Sequence, residues 1–152
     1  MRSPVLYQFF ARAVFGFAIA SAAFAQGTIT TVAGNGTNDT AGDNGSAVNA
    51  ALRPNGLTVD AAGNIYIADV AKSVIRKVDT HGIITTVAGF VGEKTQFSGD
   101  NGPATKASIY IANNHNGLAV DAAGNLYIAD TNNHRIAVAD WATGVVRTLI
   151  GD

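Results

Sequence analysis

The chain has no cysteine, and only one methionine, one tryptophan and three prolines among 152 residues. Zero Cys excludes a disulfide framework, a zinc-thiolate site, a cysteine nucleophile and a lipid-anchored N-terminal Cys. Charge is scarce as well, at 14%, against roughly 25% for an ordinary soluble domain. A formal net charge of −1 excludes a strong electrostatic claim on nucleic acid. No Gly-x-Ser-x-Gly, HExxH, P-loop or dinucleotide fingerprint occurs, and Gly99-Asp100-Asn101-Gly102-Pro103 lacks the Lys-Ser/Thr of a Walker loop. Helical periodicity is missing too. The best helical stretch is 47–52, cut short by Pro54, and it predicts a turn or two.

What is present begins with an address. In residues 1–25 the only charges are Arg2 and Arg12, a short apolar run comes next, and Ala23-Phe24-Ala25 places small residues where a signal peptidase reads. This pattern predicts a secretory signal peptide with Gln26 as the new N-terminus. The apolar stretch 13–25 holds 13 residues, short of the roughly 20 that a membrane span needs, so no permanent membrane anchor is expected. The remaining 127 residues, 26–152, carry 8 basic and 11 acidic side chains. A mildly acidic, cysteine-free exported chain fits a bacterial periplasm or culture fluid.

The exported portion repeats itself. Gly27-Thr28-Ile29-Thr30-Thr31-Val32-Ala33-Gly34 returns as Gly82-Ile83-Ile84-Thr85-Thr86-Val87-Ala88-Gly89, and more weakly at 144–151. Gly42-Asp43-Asn44-Gly45 returns as Gly99-Asp100-Asn101-Gly102. The segment 55–69 recurs at 116–130, with changes only at Thr58/Ala119 and Ile65/Leu126. A match of this length marks a repeat architecture.

Each repeat reads as strands. Leu57-Thr58-Val59 is short and apolar, and Ile65-Tyr66-Ile67-Ala68 alternates and is rich in β-formers. Asp60-Ala61-Ala62-Gly63 between them is a hairpin turn, with Gly63 free to take positive φ. Residues 74–78 and 83–87 supply a third and a fourth strand. Four short antiparallel strands make one propeller blade. The expected class is all-β, with blade one at 56–89, blade two at 117–151 and a leading outer strand at 27–34.

The runs Gly-x-Ile-Thr-Thr-Val-Ala-Gly, Gly-Asp-x-Gly-x-Ala and Gly-Leu-x-Val-Asp-Ala-Ala-Gly-Asn-x-Tyr-Ile-Ala-Asp, with Asp130-Thr131-Asn132-Asn133-His134-Arg135-Ile136, resemble the NHL repeat family. The resemblance covers 27–151 and implies blades of a six-bladed β-propeller. The repeats differ in detail. Lys72-Ser73-Val74 stands where the second repeat has Asn133-His134-Arg135, Arg76 where it has Ala137, and Pro54 where it has His115. These changes argue against one polar constellation in every blade.

Two blades fall short of the four to eight of a closed propeller, and open blades have unpaired edges. Three molecules would supply six blades, but the leading strand counts against such a ring. The expectation is therefore a chain cut from a longer array, with self-association through open blade edges as the other outcome.

Few residues stand out as site candidates. Asp43, Asn44, Asp100 and Asn101 lie in Gly-rich loops, where their oxygens suit a Ca²⁺ ion or a ligand at the propeller mouth. Turn chemistry accounts for the same residues and is the preferred reading, so no catalytic, metal or cofactor residue is assigned. Asp69 and Asp130 end equivalent strands, and Asp130 is placed to pair with Arg135 or to accept from its turn. Of the histidines, His81 precedes a turn Gly and His134 belongs to the repeat signature. His115 sits in a loop insertion expected to reach one mouth. Tyr66 and Tyr127 hold equivalent positions, which favours packing over a stacking platform. Near-identical blades favour a scaffold, since catalysis needs unlike groups converging on one point. The first functional expectation is a non-catalytic exported module that binds a protein, a glycan or another propeller segment. The alternative, which the resemblance suggests, is a piece of a propeller-type metal-dependent hydrolase, lactonase or lyase.

Overall fold

The computed structural model describes residues 27–91, 97–111 and 117–151. The expected signal peptide at 1–25, and His115, lie outside them. In chain order the strands are β1 (Gly45–Ser46), β2 (Pro54–Val59), β3 (Ile65–Asp69), β4 (Val74–Val78), β5 (Ile83–Ala88), β6 (Gly102–Pro103), β7 (Leu118–Val120), β8 (Leu126–Asp130), β9 (Arg135–Ala139) and β10 (Val145–Ile150). They form two antiparallel sheets, ordered β1-β5-β4-β3-β2 and β6-β10-β9-β8-β7. Each is a four-stranded blade with a two-residue strand added at its outer edge. The sheets do not close into a ring.

The hairpins are set by the turns the sequence writes. Asp60 N–H donates to the Asn64 carbonyl at 3.0 Å, Gly63 N–H donates to the Asp60 carbonyl at 3.0 Å, and Gly63 takes φ 91°. Asp121 and Gly124 repeat this closure in the second sheet. The helical stretch near 47–52 shortens to a single 3₁₀ turn, Ala47–Asn49, matched by Ala104–Lys106. No helix among the described residues is long and apolar enough to cross a membrane.

Strand alternation gives each sheet two faces. We call them leading, turned toward the segment that enters the blade, and trailing, turned toward the segment that leaves it. Ile67, Val78 and Ile84 on the leading face of the first blade bury against Ala47, Ala50 and Leu52. Tyr66, Ala68 and Ile75 on its trailing face join Leu126, Ile128, Ala137 and Val146 of the second blade, with Ala104 and Ile109 of the connecting segment between them. Burying one such Ile contributes about 1.5–3 kcal/mol, so the junction between blades is a substantial part of the core.

The leading segment departs from expectation. Residues 27–34 share the composition of β5, yet they form no strand, and Ile29 is 99% exposed. The physical reason is pairing. β5 lies between β4 and β1, whereas no inner strand stands beside 27–34 in the described chain. Its end is nevertheless docked. Gly34 N–H bonds the Ala47 carbonyl at 2.8 Å, just as Gly89 N–H bonds the Ala104 carbonyl at 2.9 Å.

Candidate functional site

The Gly-rich loops bring their aspartates onto buried arginines. Arg76, on β4, is fully buried and donates to Asp43 at 2.7 Å, with Asp69 at 3.5 Å on its other side. Arg135, on β9, is equally buried and donates to Asp130 at 2.8 Å and to Asp100. Each blade therefore holds an Asp–Arg–Asp cluster. This corrects the expectation that no polar constellation repeats. Arg76 aligns with Ala137, and Arg135 with Val74, but the two positions lie two residues apart on one strand face, so either reaches the same place.

The strand-end aspartates are anchors. Asp69 accepts from Arg53 N–H at 3.1 Å and from the Thr40 hydroxyl at 2.9 Å. Asp130 accepts from Tyr110 N–H at 2.7 Å, the residue equivalent to Arg53, and from the Asn133 amide. Both carboxylates are fully buried, so each ties the entering segment to its blade. The Phe97 ring lies 3.9 Å from the Arg135 guanidinium carbon, a cation–π contact over the same cluster.

Asn44 and Asn101 take left-handed conformations, φ 63° and 60°. Their N–H groups bond Ile84 and Val146 at 2.7 and 2.8 Å, which brings each loop onto the outer strand. Burial pushes the Asp100 carboxyl up, but hydrogen bonds from Thr148 and the Arg135 guanidinium outweigh it and hold Asp100 below its ordinary range. A cation at these loops would compete with a guanidinium already seated on the carboxylates, so the donor set does not fit Ca²⁺. No group of three or more metal-ligating side chains occurs among the described residues.

The other singled-out residues are dispersed. His81 is exposed in its turn, and its imidazole lies 3.9 Å from Asp79. His134 and Ser73 hold equivalent left-handed positions, φ 53° and 52°, so His134 serves the backbone. Tyr66 is 2% exposed and packs in the core. Burial, and then the charge of Asp60 beside its hydroxyl, push its pKa up to about 12. Trp141 crosses the blade junction, with the Lys77 ammonium 4.2 Å from its ring. A cleft of about 260 Å³ beneath it is lined by Tyr66, Val87, Thr105, Leu126 and Asp140. Asp140 there accepts from Thr143 N–H and hydroxyl at 2.8 Å. No pair of free catalytic groups converges in that cleft.

The surfaces left open are mostly apolar and paired by symmetry, with exposed Arg147 beside Tyr127 on the trailing one. On the trailing face Tyr66, Ala68, Ile75 and Ala88 are buried in the first blade, whereas Tyr127, Ala129 and Ile136 in the second are half-buried and Ile150 is 66% exposed. On the leading face the order reverses. Leu118 and Val120 of the second blade pack into the junction, whereas Leu57 and Val59 of the first are 65% and 51% exposed. Strand alternation alone could not have revealed this. It needed the knowledge of which face each blade turns to its neighbour.

Comparison with known proteins agrees with this architecture. The teneurin NHL domain profile matches residues 25–97, and the NHL repeat profile matches 116–139. Human NHL repeat-containing protein 2 is 37% identical over 111 residues, 69% of this chain. The match spans only 14% of that relative's length. With blade geometry, repeat spacing and both profiles in agreement, the chain belongs to the NHL repeat family.

Proposed function

We propose that this chain is an exported NHL-repeat module that works as a non-catalytic protein-binding surface and is built as part of a larger propeller. The observation that carries this reading is the open trailing face of the second blade, where Tyr127, Ala129, Ile136 and Ile150 expose apolar surface that is sealed at the same positions one blade earlier. Such a face suits another polypeptide better than a glycan, because it offers mostly apolar area, with exposed Arg147 on its outer strand. The charged side chains of the clusters support the same reading, since each is spent on holding a loop to its blade. Export rests on the basic start, apolar run and Ala-x-Ala end of residues 1–25.

Two measurements test it. The exported fraction is sequenced from its N-terminus, with Gln26 expected first. A photo-cross-linking amino acid is placed at Ile136, or at exposed Ala61 as a control, in the producing cells. Capture of a discrete polypeptide at 136 and not at 61 supports the reading. Retention in the cell with an intact N-terminus, or equal labelling at both positions, overturns it.

A further inference from the structure

We propose that the partner of the open trailing face is a second molecule of this chain, joined head to tail through the leading face of its first blade. The proposal rests on the trailing face being a binding surface and identifies what covers it. Inside one molecule, the trailing face of the first blade meets the leading face of the second through Tyr66, Ala68 and Ile75 on one side and Leu118 and Val120 on the other. Among the described residues, the same two faces are left exposed once each. Tyr127, Ala129 and Ile136 repeat the first set, and Leu57 and Val59 repeat the second. The chain therefore carries both halves of an interface whose geometry it already displays internally. Val48, 43% exposed, is placed to meet Leu149, 43% exposed, as Thr105 and Val87 line the internal junction.

The contact is heterologous, and successive molecules either close a ring or grow a filament. Propellers close with about four to eight blades, so at the two described blades per molecule a closed assembly holds about two to four molecules. The leading strand, which counted against such a ring in the sequence, is unpaired. Gly34 N–H occupies the Ala47 carbonyl, the position that Gly151 of the neighbour takes by analogy with Gly89 on Ala104. On assembly the segment 27–34, exposed as far as Val32 and docked at Ala33 and Gly34, gives way to β10 of the neighbour.

The test uses the full chain and two variants, Leu57→Asp and Ile150→Asp. Both side chains are more than 60% exposed, so neither change threatens the fold of one molecule; circular dichroism checks this. The full chain is expected to sediment as a discrete assembly at about 100 μM, where a micromolar interface is saturated. Each variant alone is expected to be monomeric. An equal mixture is expected to give a heterodimer, because each partner keeps the face the other has lost. Hydrogen exchange is expected to show the Gly34 amide protected in either variant and unprotected in the assembly. A monomeric full chain, assembly that survives either substitution, a mixture that stays monomeric, or Gly34 protected in the assembly each overturns the proposal. A monomer that still cross-links another polypeptide at 136 removes the second molecule and leaves the binding-surface reading in place.

Discussion

Arg76 and Arg135 stand in different columns of the repeat, yet their guanidinium groups lie between equivalent aspartates, Asp43 and Asp69 in one blade and Asp100 and Asp130 in the other. Side chains two residues apart on a strand share a face, and a long flexible arginine absorbs the offset of one repeat in its rotamers. What the repeat preserves is the charge between two carboxylates. The residue that delivers it has moved.

Removing either arginine is expected to be costly. Arg76→Ala leaves Asp69 buried without its cation, as Arg135→Ala leaves Asp130. Loss of one partner of a buried pair costs about 3–5 kcal/mol, and urea unfolding measures it. The double change Arg76→Ala with Val74→Arg gives the first blade the arrangement of the second. It is expected to recover at least about half of the loss, and no recovery would show that the two clusters are not interchangeable.

Asp100 contributes to stability against acid. Its carboxyl is depressed in the folded chain because Thr148 and Arg135 outweigh burial. The resulting stabilisation is present above the unfolded carboxylate range, about 3.9, and is lost as pH falls through the lower folded value. Asp100→Asn removes that contribution, so its stability is expected to fall less steeply with acid than that of the parent. Equal slopes in the two chains would contradict it.

At the alkaline end the relevant group is Tyr66, raised from 10.0 to about 12 by burial and by Asp60. A raised folded value gives stability that is complete below about 10 and is lost as pH climbs toward 12. Difference absorbance near the tyrosinate band, parent minus Tyr66→Phe, is expected to reveal one phenol that titrates well after an exposed tyrosine.

Two glycines separate strain from collision. Gly82 has φ 77° and open space around its missing Cβ, whereas Gly89 has φ 91° and a Cβ there would meet the Ser73 carbonyl oxygen at 2.8 Å and Val74 Cα at 2.9 Å. Gly82→Ala is expected to cost about 1–2 kcal/mol, the left-handed penalty alone. Gly89→Ala is expected to cost clearly more, because backbone must shift as well. Thermal unfolding of the two variants makes the comparison.

Much of the fold was legible in the residues. The alternation of Ile65-Tyr66-Ile67-Ala68 and the Asp-Ala-Ala-Gly turns located strands and hairpins, because both signals are local. Residues 27–34 misled, since a strand needs a neighbour and nothing in eight residues says whether one stands beside them. The two-residue strands β1 and β6 escaped notice for the opposite reason. Gly45–Ser46 and Gly102–Pro103 carry no β-former and pair only because their loops fold back onto β5 and β10. Asp43 and Asp100 are legible as loop residues and Arg135 as a partner for Asp130, but Arg76 is not, because it stands two residues from the repeat column of Arg135 on the same strand face. The open faces depend on how the blades stack, a long-range property.

The Asp-led turns carry one more consequence. Asp60 gathers Ala62, Asn64 and the Tyr66 hydroxyl within six residues, and Asp121 gathers Ala123, Asn125 and the Tyr127 hydroxyl in the same way. The β2–β3 and β7–β8 hairpins are thus each clasped by contacts of very short loop length, which cost little chain entropy to close. The molecule has two equivalent local contacts of low closure entropy, one per blade, and a lesion in one clasp leaves the bonds of the other in place.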